Sequence, residues 1–426
     1  MYKNTRRDFM RLAGAAGAVS LTGLGGCTTV MGSGARVVVI GGGFGGATVA
    51  RYIKRYDPSV SVTVIEPKGT YTTCPFSNAY LGGLRSIGSI THSYDGLRDA
   101  GVKVFHDKAV ALDPAKQIVS TRGGLSLGYD RLVVSPGIDF RYDSIDGYDA
   151  NVAQIMPHAW QAGPQSMILR KQLEAMDDGG VVIIASPPNP FRCPPGPYER
   201  ASMIAHYLKT TKPRSKVLIL DAKDKFSKQG AFTEGWKLNY GKMIEWVPAS
   251  LGGKVLSVDA ADRSVKTDFD HHHGAVTNVI PAQKAGAIAH AMGLTDNTGW
   301  CPVDLKSFES KLIRGVHVIG DAAIVAGMPK SGNAANTEAK QCAAAIAALL
   351  NGRSVPEPVT SNTCYSLVTP DYGISVTAVY HLGPEKYAGA KGSGGVSPGG
   401  RDATFRKQEA RYAASWYDNI TRDIWG

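Results

Sequence analysis

The sequence predicts an α/β fold: two doubly wound, nucleotide-binding units followed by a small α+β segment. Three observations carry that prediction. Residues 37–46 run Val-Val-Val-Ile and then Gly-Gly-Gly-Phe-Gly-Gly, an apolar strand feeding a glycine turn. Residues 181–185, Val-Val-Ile-Ile-Ala, repeat the strand half of that pattern, and 216–220 supply a partner strand that ends at Asp221. Residues 315–322, Gly-Val-His-Val-Ile-Gly-Asp-Ala, form a late strand that ends in an acid and returns the chain to the first unit. Continuous apolar runs of this kind belong to parallel strands covered on both faces.

In the first unit, Gly41, Gly43 and Gly46 make G-x-G-x-x-G with Phe44 inside it, and 47–56 read as a helix. A second strand, 61–65, ends at Glu66 and Pro67. Gly41 permits the tight turn, Gly43 lets the backbone approach a pyrophosphate, and Gly46 lets helix and strand pack closely. The helix N-terminus receives phosphates and Glu66 a ribose hydroxyl. A glycine triplet alone is weak evidence, but strand, glycines, helix, strand and terminal acid in one unit are specific. A helical stretch at 94–100, a strand at 102–105 and a hairpin over 109–113 and 117–120 follow. Residues 129–137, Tyr-Asp-Arg-Leu-Val-Val-Ser-Pro-Gly, match a second signature of flavoproteins with two dinucleotide domains, in which Pro136 and Gly137 mark the crossing to the next unit. In a flavin unit the loop leaving the second strand passes near the isoalloxazine, which places Cys74 to meet it.

The second unit departs from its template. A helix is expected at 167–176, the first strand at 181–185. Where relatives that use NAD(P)H carry a glycine-rich turn, residues 186–199 read Ser-Pro-Pro-Asn-Pro-Phe-Arg-Cys-Pro-Pro-Gly-Pro-Tyr-Glu. Prolines remove amide donors, and no G-x-G brings backbone to a pyrophosphate, so the fold is kept and no NAD(P)H site is expected. A helix at 201–209 and strands at 216–220, 243–247 and 253–258 complete the unit. His271-His272-His273 lies in a polar stretch that reads as a loop; no metal site is expected there, because adjacent histidines point different ways.

Gly320 and Asp321 close the flavin signature, with the acid set to bond a ribityl chain. Lys330 precedes a helix at 334–350 whose N-terminus can stabilise negative charge on a reduced flavin; the alternative is a solvated lysine. Cys342 reads as a small core residue of that helix, and Cys301 has no assigned role. Beyond Gly352 the composition changes. Residues 373–380 alternate like a strand, 391–400 are glycine-rich, and 401–416 read as a helix with Trp416-Tyr417 near its end. Trp416 is either a core residue or a flavin contact.

The 426 residues suffice for two or three domains. The formal charge of +11 comes without a basic run interleaved with aromatics, which disfavours nucleic acid. The excess suits an anionic substrate or acidic partner, or simply a basic surface. Thr5-Arg6-Arg7-Asp8-Phe9-Met10 is a twin-arginine pattern, followed by an apolar run at 12–26 too short to span a bilayer. That route exports folded, cofactor-loaded proteins, so a periplasmic location is expected. Leu24-Gly25-Gly26-Cys27 resembles a lipoprotein cleavage box, which would put lipid on Cys27; ordinary cleavage nearby is the alternative. Six cysteines occur, and export permits disulfides. With Cys27 lipidated or removed, an odd number remains, so at least one is free or bonded to something other than cysteine. No C-x-x-C-H motif is present, so no c-type haem is expected in this chain.

Together these stretches resemble the flavoprotein subunit of flavocytochrome c sulfide dehydrogenase. The resemblance covers nearly the whole chain. It rests on Arg6-Arg7-Asp8-Phe9, residues 41–46, Ile65-Glu66-Pro67, Thr73-Cys74, residues 190–201, 299–309, 328–332 and 362–366, and Ser415-Trp416-Tyr417. It implies a glutathione-reductase-like fold: a signal segment at 1–34, an FAD-binding domain at 35–160 and 286–352, a second nucleotide-type domain at 161–285, and a C-terminal interface domain at 353–426 facing a c-type cytochrome subunit that carries the haem. It also implies FAD joined through sulfur from Cys74 to the flavin 8α-methyl group, a redox disulfide between Cys193 and Cys364 beside the flavin, and an acid, Glu199, near them. Pro75-Phe76 departs from the usual aromatic–aliphatic pair after that cysteine. The expected activity is oxidation of sulfide to sulfur or polysulfide, with electrons passing to the cytochrome. A sulfide:quinone reductase is the first rival; it needs a C-terminal membrane-binding element, and the charged segment 401–411 is not strongly amphipathic. An NAD(P)H-dependent disulfide reductase lacks its C-x₄-C pair here. A flavin-bearing assembly subunit without turnover is the rival of another class, and Cys193, Cys364 and Glu199 together speak against it.

Overall fold

The computed structural model describes residues 34–426. The twin-arginine pattern and Cys27 lie outside them. Strand Arg36–Ile40 pairs in parallel with Ser61–Ile65 on one side and Arg131–Val134 on the other. Lys103–Phe105 and Val316–Val318 extend these edges to a five-stranded parallel sheet. The late strand therefore joins the first unit, as the chain order predicted. Val39, Val64 and Val133 have no exposed surface, which is why these strands are uninterrupted apolar runs. Helices Phe44–Tyr56 and Gly332–Leu350 pack against each other over this sheet through small residues, among them Ala47, Ala50, Ala335 and Ala339, all buried.

A second parallel sheet has the order Ile244–Val247, Lys216–Asp221, Val181–Ser186, Val276–Val279. Helix Gly196–Thr211 packs on it. The third part is a long antiparallel pair, Val359–Thr369 with Tyr372–Leu382, crossed by helix Ala403–Trp425. Among the described residues no helix is long and apolar enough to cross a membrane.

Four local expectations are corrected, and one helix, Gln229–Tyr240, is an addition to the elements read from the sequence. The helix of the second unit begins at Gly196, not 201, because Pro195 and Pro197 occupy the cap and first turn, where proline is tolerated. Helix Gln229–Tyr240, broken in sequence by Gly230 and Gly235, is held by burial of Phe232 and Trp236. Of residues 253–258 only the end is strand, at Ser257–Asp259. The three histidines form strand His271–His273, paired antiparallel with Ser264–Lys266 after a turn in which Asp270 N–H donates to Thr267 Oγ1. The C-terminal helix runs on to Trp425, because Ile420, Ile424 and Trp425 are buried and override the weak helix formers Asn419 and Thr421.

A Cβ on Gly46 would lie 1.8 Å from the Gly41 carbonyl oxygen, whereas one on Gly230 meets nothing within 4 Å. Gly46→Ala should therefore destabilise the protein by about 1–3 kcal/mol, while Gly230→Ala should be neutral or stabilise it by up to about 1 kcal/mol. Denaturant unfolding of the two variants side by side checks this; equal effects would contradict the packing described.

Candidate functional site

The glycine turn is closed by a carboxylate. Gly42 N–H donates to Glu66 Oε2 at 2.9 Å, and Lys68 N–H to Glu66 Oε1 at 3.0 Å. Glu66 thus ends its strand beside the turn, as expected, and Pro67 is exposed just beyond it. Gly41 has φ +97°, and a Cβ there would lie 2.3 Å from Ser135 O, so the turn has room only for glycine. Gly43, extended, precedes the free amides of helix Phe44–Tyr56. Phe44 meets Tyr71 and Trp425 edge-on, and Tyr71 and His92 both stack on Trp425, whose Nε1–H donates to Gly42 O at 3.3 Å. Tyr71, His92 and Trp425 were not foreseen: they are far apart in sequence and belong to no local motif.

The other wall is the turn Gly320–Ala322; a Cβ on Gly320 would lie 3.7 Å from Ser135 Oγ, and Pro136 and Gly137 (φ +67°) follow Ser135 in the chain. Asp321 Oδ2 lies 3.7 Å from Arg192, while its Oδ1 is buried without a hydrogen-bond partner. A buried carboxylate oxygen left open in this way fits the hydroxyl of a bound ribityl chain. Lys330 is not solvated: its ammonium donates to the carbonyls of Asp321 (2.7 Å) and Ala323 (2.8 Å) and sits 4.1 Å over the Trp300 ring. Burial pulls its pKa down, while Asp321, Glu338 and Cys301 hold it up. A cavity of about 490 Å³ opens here, lined among others by Pro190, Gln283, Trp300, Lys330 and Glu338. Open acceptor, glycine turn and cavity together fit a flavin dinucleotide.

The proline-rich turn carries Cys193 at φ +57°, pinned by its N–H donating to Lys330 O (2.8 Å) and its carbonyl accepting from Gly196 N–H (2.8 Å). Glu199, in the first turn of the helix that follows, accepts from Asn78 Nδ2 and from the Leu367 N–H, both at 2.9 Å. Leu367 lies three residues beyond Cys364 on strand Val359–Thr369, so one carboxylate ties the Cys74 loop region to the Cys364 strand. Burial raises the Glu199 pKa, opposed by Asn78, the Leu367 amide, Lys228 and Arg200. Burial likewise raises the Cys193 thiol, reinforced by Cys364, Glu199 and Cys74; Lys228 acts the other way. Cys74 Sγ lies 3.6 Å from the Trp160 carbonyl. Phe76, the departure noted after Cys74, packs on Tyr417, whose hydroxyl bonds Thr73 Oγ1 at 2.8 Å.

The structure therefore brings Cys193, Cys364, Glu199 and Cys74 into one neighbourhood. The five described cysteines are all free, so the structure shows Cys193 and Cys364 in the dithiol form. Trp416 is half-buried against Tyr365, ring centroids 6.3 Å apart, with its Nε1 unpartnered; it lies mid-helix rather than near the end, and Trp425 takes the place beside the glycine turn. Cys342 is a core residue, and Cys301 is buried with its thiol pushed up to about 12. As a strand rather than a loop, 271–273 places His271 and His273 on one side, where they and Asp262 lie within 4.8 Å of one another, all exposed. Sequence reading gave no role to Lys228, Glu338 or Arg200; the first two lie in no motif, Arg200 lies within residues 190–201, and only their burial marks them out.

Glu338, buried in helix Gly332–Leu350, accepts from Gly320 N–H at 2.9 Å, and burial pushes its pKa from 4.5 up to about 7. The folded state therefore holds this proton more tightly than the unfolded chain. The stability it contributes is complete below about pH 4.5 and is lost as pH rises through 7. Glu338→Gln keeps an acceptor for Gly320 without a charge. Its melting temperature should exceed the wild type's by more at pH 8 than at pH 5; a gap independent of pH would refute the assignment.

Comparison with known proteins gives a consistent family. Residues 166–281 match the family model "Sulfide dehydrogenase [flavocytochrome c] flavoprotein chain, central", residues 356–425 match "Flavocytochrome c sulphide dehydrogenase, flavin-binding", and residues 35–163 match "Pyridine nucleotide-disulphide oxidoreductase". A sulfide dehydrogenase [flavocytochrome c] flavoprotein chain from Chlorobaculum thiosulfatiphilum is 66% identical over 38 residues, 9% of this chain and 79% of that sequence. Mouse mitochondrial sulfide:quinone oxidoreductase is 22% identical over 295 residues, 66% of this chain and 64% of its own length. Among solved structures, the sulfide:quinone oxidoreductase of Aquifex aeolicus superimposes with a TM-score of 0.70 at 17% identity, covering 92% of this chain and 91% of that one. A likeness at that identity establishes the shared two-unit α/β fold. The chain belongs to the family of flavocytochrome c sulfide dehydrogenase flavoprotein chains, flavin-dependent oxidoreductases that act on sulfur.

Proposed function

We propose that this chain is the FAD-bearing subunit of a periplasmic sulfide dehydrogenase that oxidises sulfide to sulfur or polysulfide and passes the electrons to a c-type cytochrome. The observation that carries this is the meeting of Cys193, Cys364 and Glu199, drawn from three segments, beside the wall formed by Asp321 and Lys330. The glycine turn, Glu66 and the open Asp321 oxygen would hold the dinucleotide. FAD, when bound, supplies a two-electron acceptor able to release electrons one at a time. Cys193 and Cys364, as a disulfide, take hydrosulfide: one sulfur becomes a persulfide and the other leaves as a thiolate. Glu199, its pKa raised by burial, is placed to move a proton between hydrosulfide and a thiolate. In the second unit Asp221 is fully buried and engaged by Tyr198 Oη, Trp246 Nε1 and Lys223 Nζ at 2.5–2.9 Å. The acid that would otherwise face a nucleotide ribose is thus used internally, which supports sulfide rather than NAD(P)H as electron donor. Export by the twin-arginine segment, with or without lipid on Cys27, belongs to the same reading.

Stopped-flow spectroscopy tests it. Sulfide should bleach the flavin, and reduced flavin should reoxidise on mixing with a c-type cytochrome faster than with a quinone. Cys193→Ser and Cys364→Ser should each lose bleaching at least a hundredfold with FAD still bound; near-normal turnover in either would reduce the pair to a structural role.

The covalent link from Cys74 is a separate expectation. Acid precipitation should leave the yellow colour with the wild-type protein and release it from Cys74→Ser. Free flavin from the wild type would exclude the link.

A further inference from the structure

Lys228 is a buried lysine that the reaction as described leaves without a role. It precedes helix Gln229–Tyr240 with φ +61°, a conformation uncommon outside glycine, and 5% of its surface is exposed. Lysine is almost never buried so deeply unless paired. Its ammonium donates to Cys364 O at 2.9 Å and Ser366 Oγ at 2.8 Å, both neutral acceptors. Among the described residues no carboxylate oxygen pairs with it within ion-pair distance. One of its three donors is left over, and its charge is uncompensated at contact range. The groups that face it are Cys364 from the strand, Cys193 from the proline-rich turn, Glu199 from the helix after that turn, and Glu409 from the C-terminal helix. The Phe232 ring lies 5.7 Å away. Two of these four groups are sulfurs. Cys364 has a second polar neighbour in the Asn362 amide, 3.6 Å from its Sγ, and Tyr380 faces it from the adjacent strand.

We propose that Lys228 is the cation that receives anionic sulfur at the Cys193–Cys364 pair, drawing in hydrosulfide and holding the thiolate that forms on Cys364. The inference rests on the function proposed above and assigns a direction to its sulfur chemistry. Hydrosulfide bonds to Cys193 Sγ, keeping its proton, and yields Cys193–S–SH. The Cys193–Cys364 bond breaks, and its electron pair stays on Cys364 Sγ beside Lys228. One negative charge enters and one remains. A second hydrosulfide takes the outer sulfur of Cys193–S–SH as hydrogen disulfide and leaves Cys193 as a thiolate, and the resulting dithiol is returned to the disulfide by the two-electron acceptor that bound flavin would supply. Burial raises both thiols, but Lys228 is anchored on the carbonyl of Cys364 and the Asn362 amide lies 3.6 Å from its Sγ, so Lys228 is the foremost influence opposing burial at Cys364 and a minor one at Cys193, which makes Cys364 the better leaving thiolate.

Alkylation kinetics test this without sulfide. The dithiol form of the FAD-loaded protein is pulsed with iodoacetamide from pH 6 to 10, and labelling of Cys364 and Cys193, both half-buried, is read by peptide mass spectrometry. At pH 7 Cys364 should react faster than Cys193. Lys228→Met should slow Cys364 about tenfold and move its inflection up by about one pH unit. Lys228→Arg should stay within about threefold of wild type, and Lys225→Met, at an exposed position in the same loop, should change nothing. Faster labelling of Cys193 in the unaltered chain overturns the proposal and needs no variant to fold; so does a Lys228→Met profile that overlays the wild type. With sulfide, Lys228→Met should raise the concentration for half-maximal flavin reduction more than it lowers the limiting rate. If sulfide fails to reduce the wild-type flavin, the proposed function falls while the alkylation result stands by itself.

Discussion

Two adjacent residues, half-buried Glu199 and buried Arg200, hold the site in place. Arg200 is 2% exposed and donates to Asn78 Oδ1, Asn278 Oδ1 and the carbonyls of His158 and Ala159. Glu199 takes the Asn78 amide and the Leu367 N–H. A buried ion left unpartnered costs several kcal/mol, so each of these bonds constrains the segment that makes it. Through them the first turn of one helix fixes the loop after Cys74, the second sheet and the strand carrying Cys364. The positions of Cys193 and Cys364 follow from that arrangement.

The same low-dielectric interior sets the electrostatics. Two lysines, Lys330 and Lys228, face two neighbouring compartments. Lys330 bonds carbonyls on the wall that fits a flavin, and Lys228 bonds the strand that carries Cys364. Each sits near an acid whose pKa is raised by burial, Glu338 and Glu199 respectively. Cys193 belongs to both compartments, because its N–H donates to the carbonyl of Lys330. The turn that carries Cys193 and the wall that fits a flavin are thereby joined through one backbone hydrogen bond.

What could be read from the sequence was what is local. The glycine turn, its flanking strands and Glu66 form one contiguous unit whose spacing is dictated by phosphate binding, and the structure reproduces that unit while adding a Gly42–Glu66 bond that the spacing did not foretell. Apolar runs at 37–40 and 181–185 gave both parallel sheets, because strands covered on two faces have little freedom of composition. The rest depends on tertiary contact. Helix Gln229–Tyr240 forms against its own glycines because Phe232 and Trp236 are buried. The C-terminal helix outruns its propensity to put Trp425 beside Gly42. The histidine strand is defined by its partner strand, not by its own polar residues. Lys228, Arg200 and Glu338 are ordinary charged residues in sequence and become distinctive only once buried. The pairing of Cys193 with Cys364 was implied by resemblance; the fold supplies the convergence, and the bond itself is a matter for chemistry.

Peptide mapping of the oxidised protein, acid-quenched and alkylated before and after a single addition of sulfide, addresses that bond most directly. The account predicts a cross-linked Cys193–Cys364 peptide before sulfide. After sulfide it predicts the separated peptides, with one extra sulfur atom on Cys193 and a free thiol on Cys364. Recovery of both cysteines as separately alkylated thiols in the oxidised protein, or of either one bridged to a different cysteine, would contradict it.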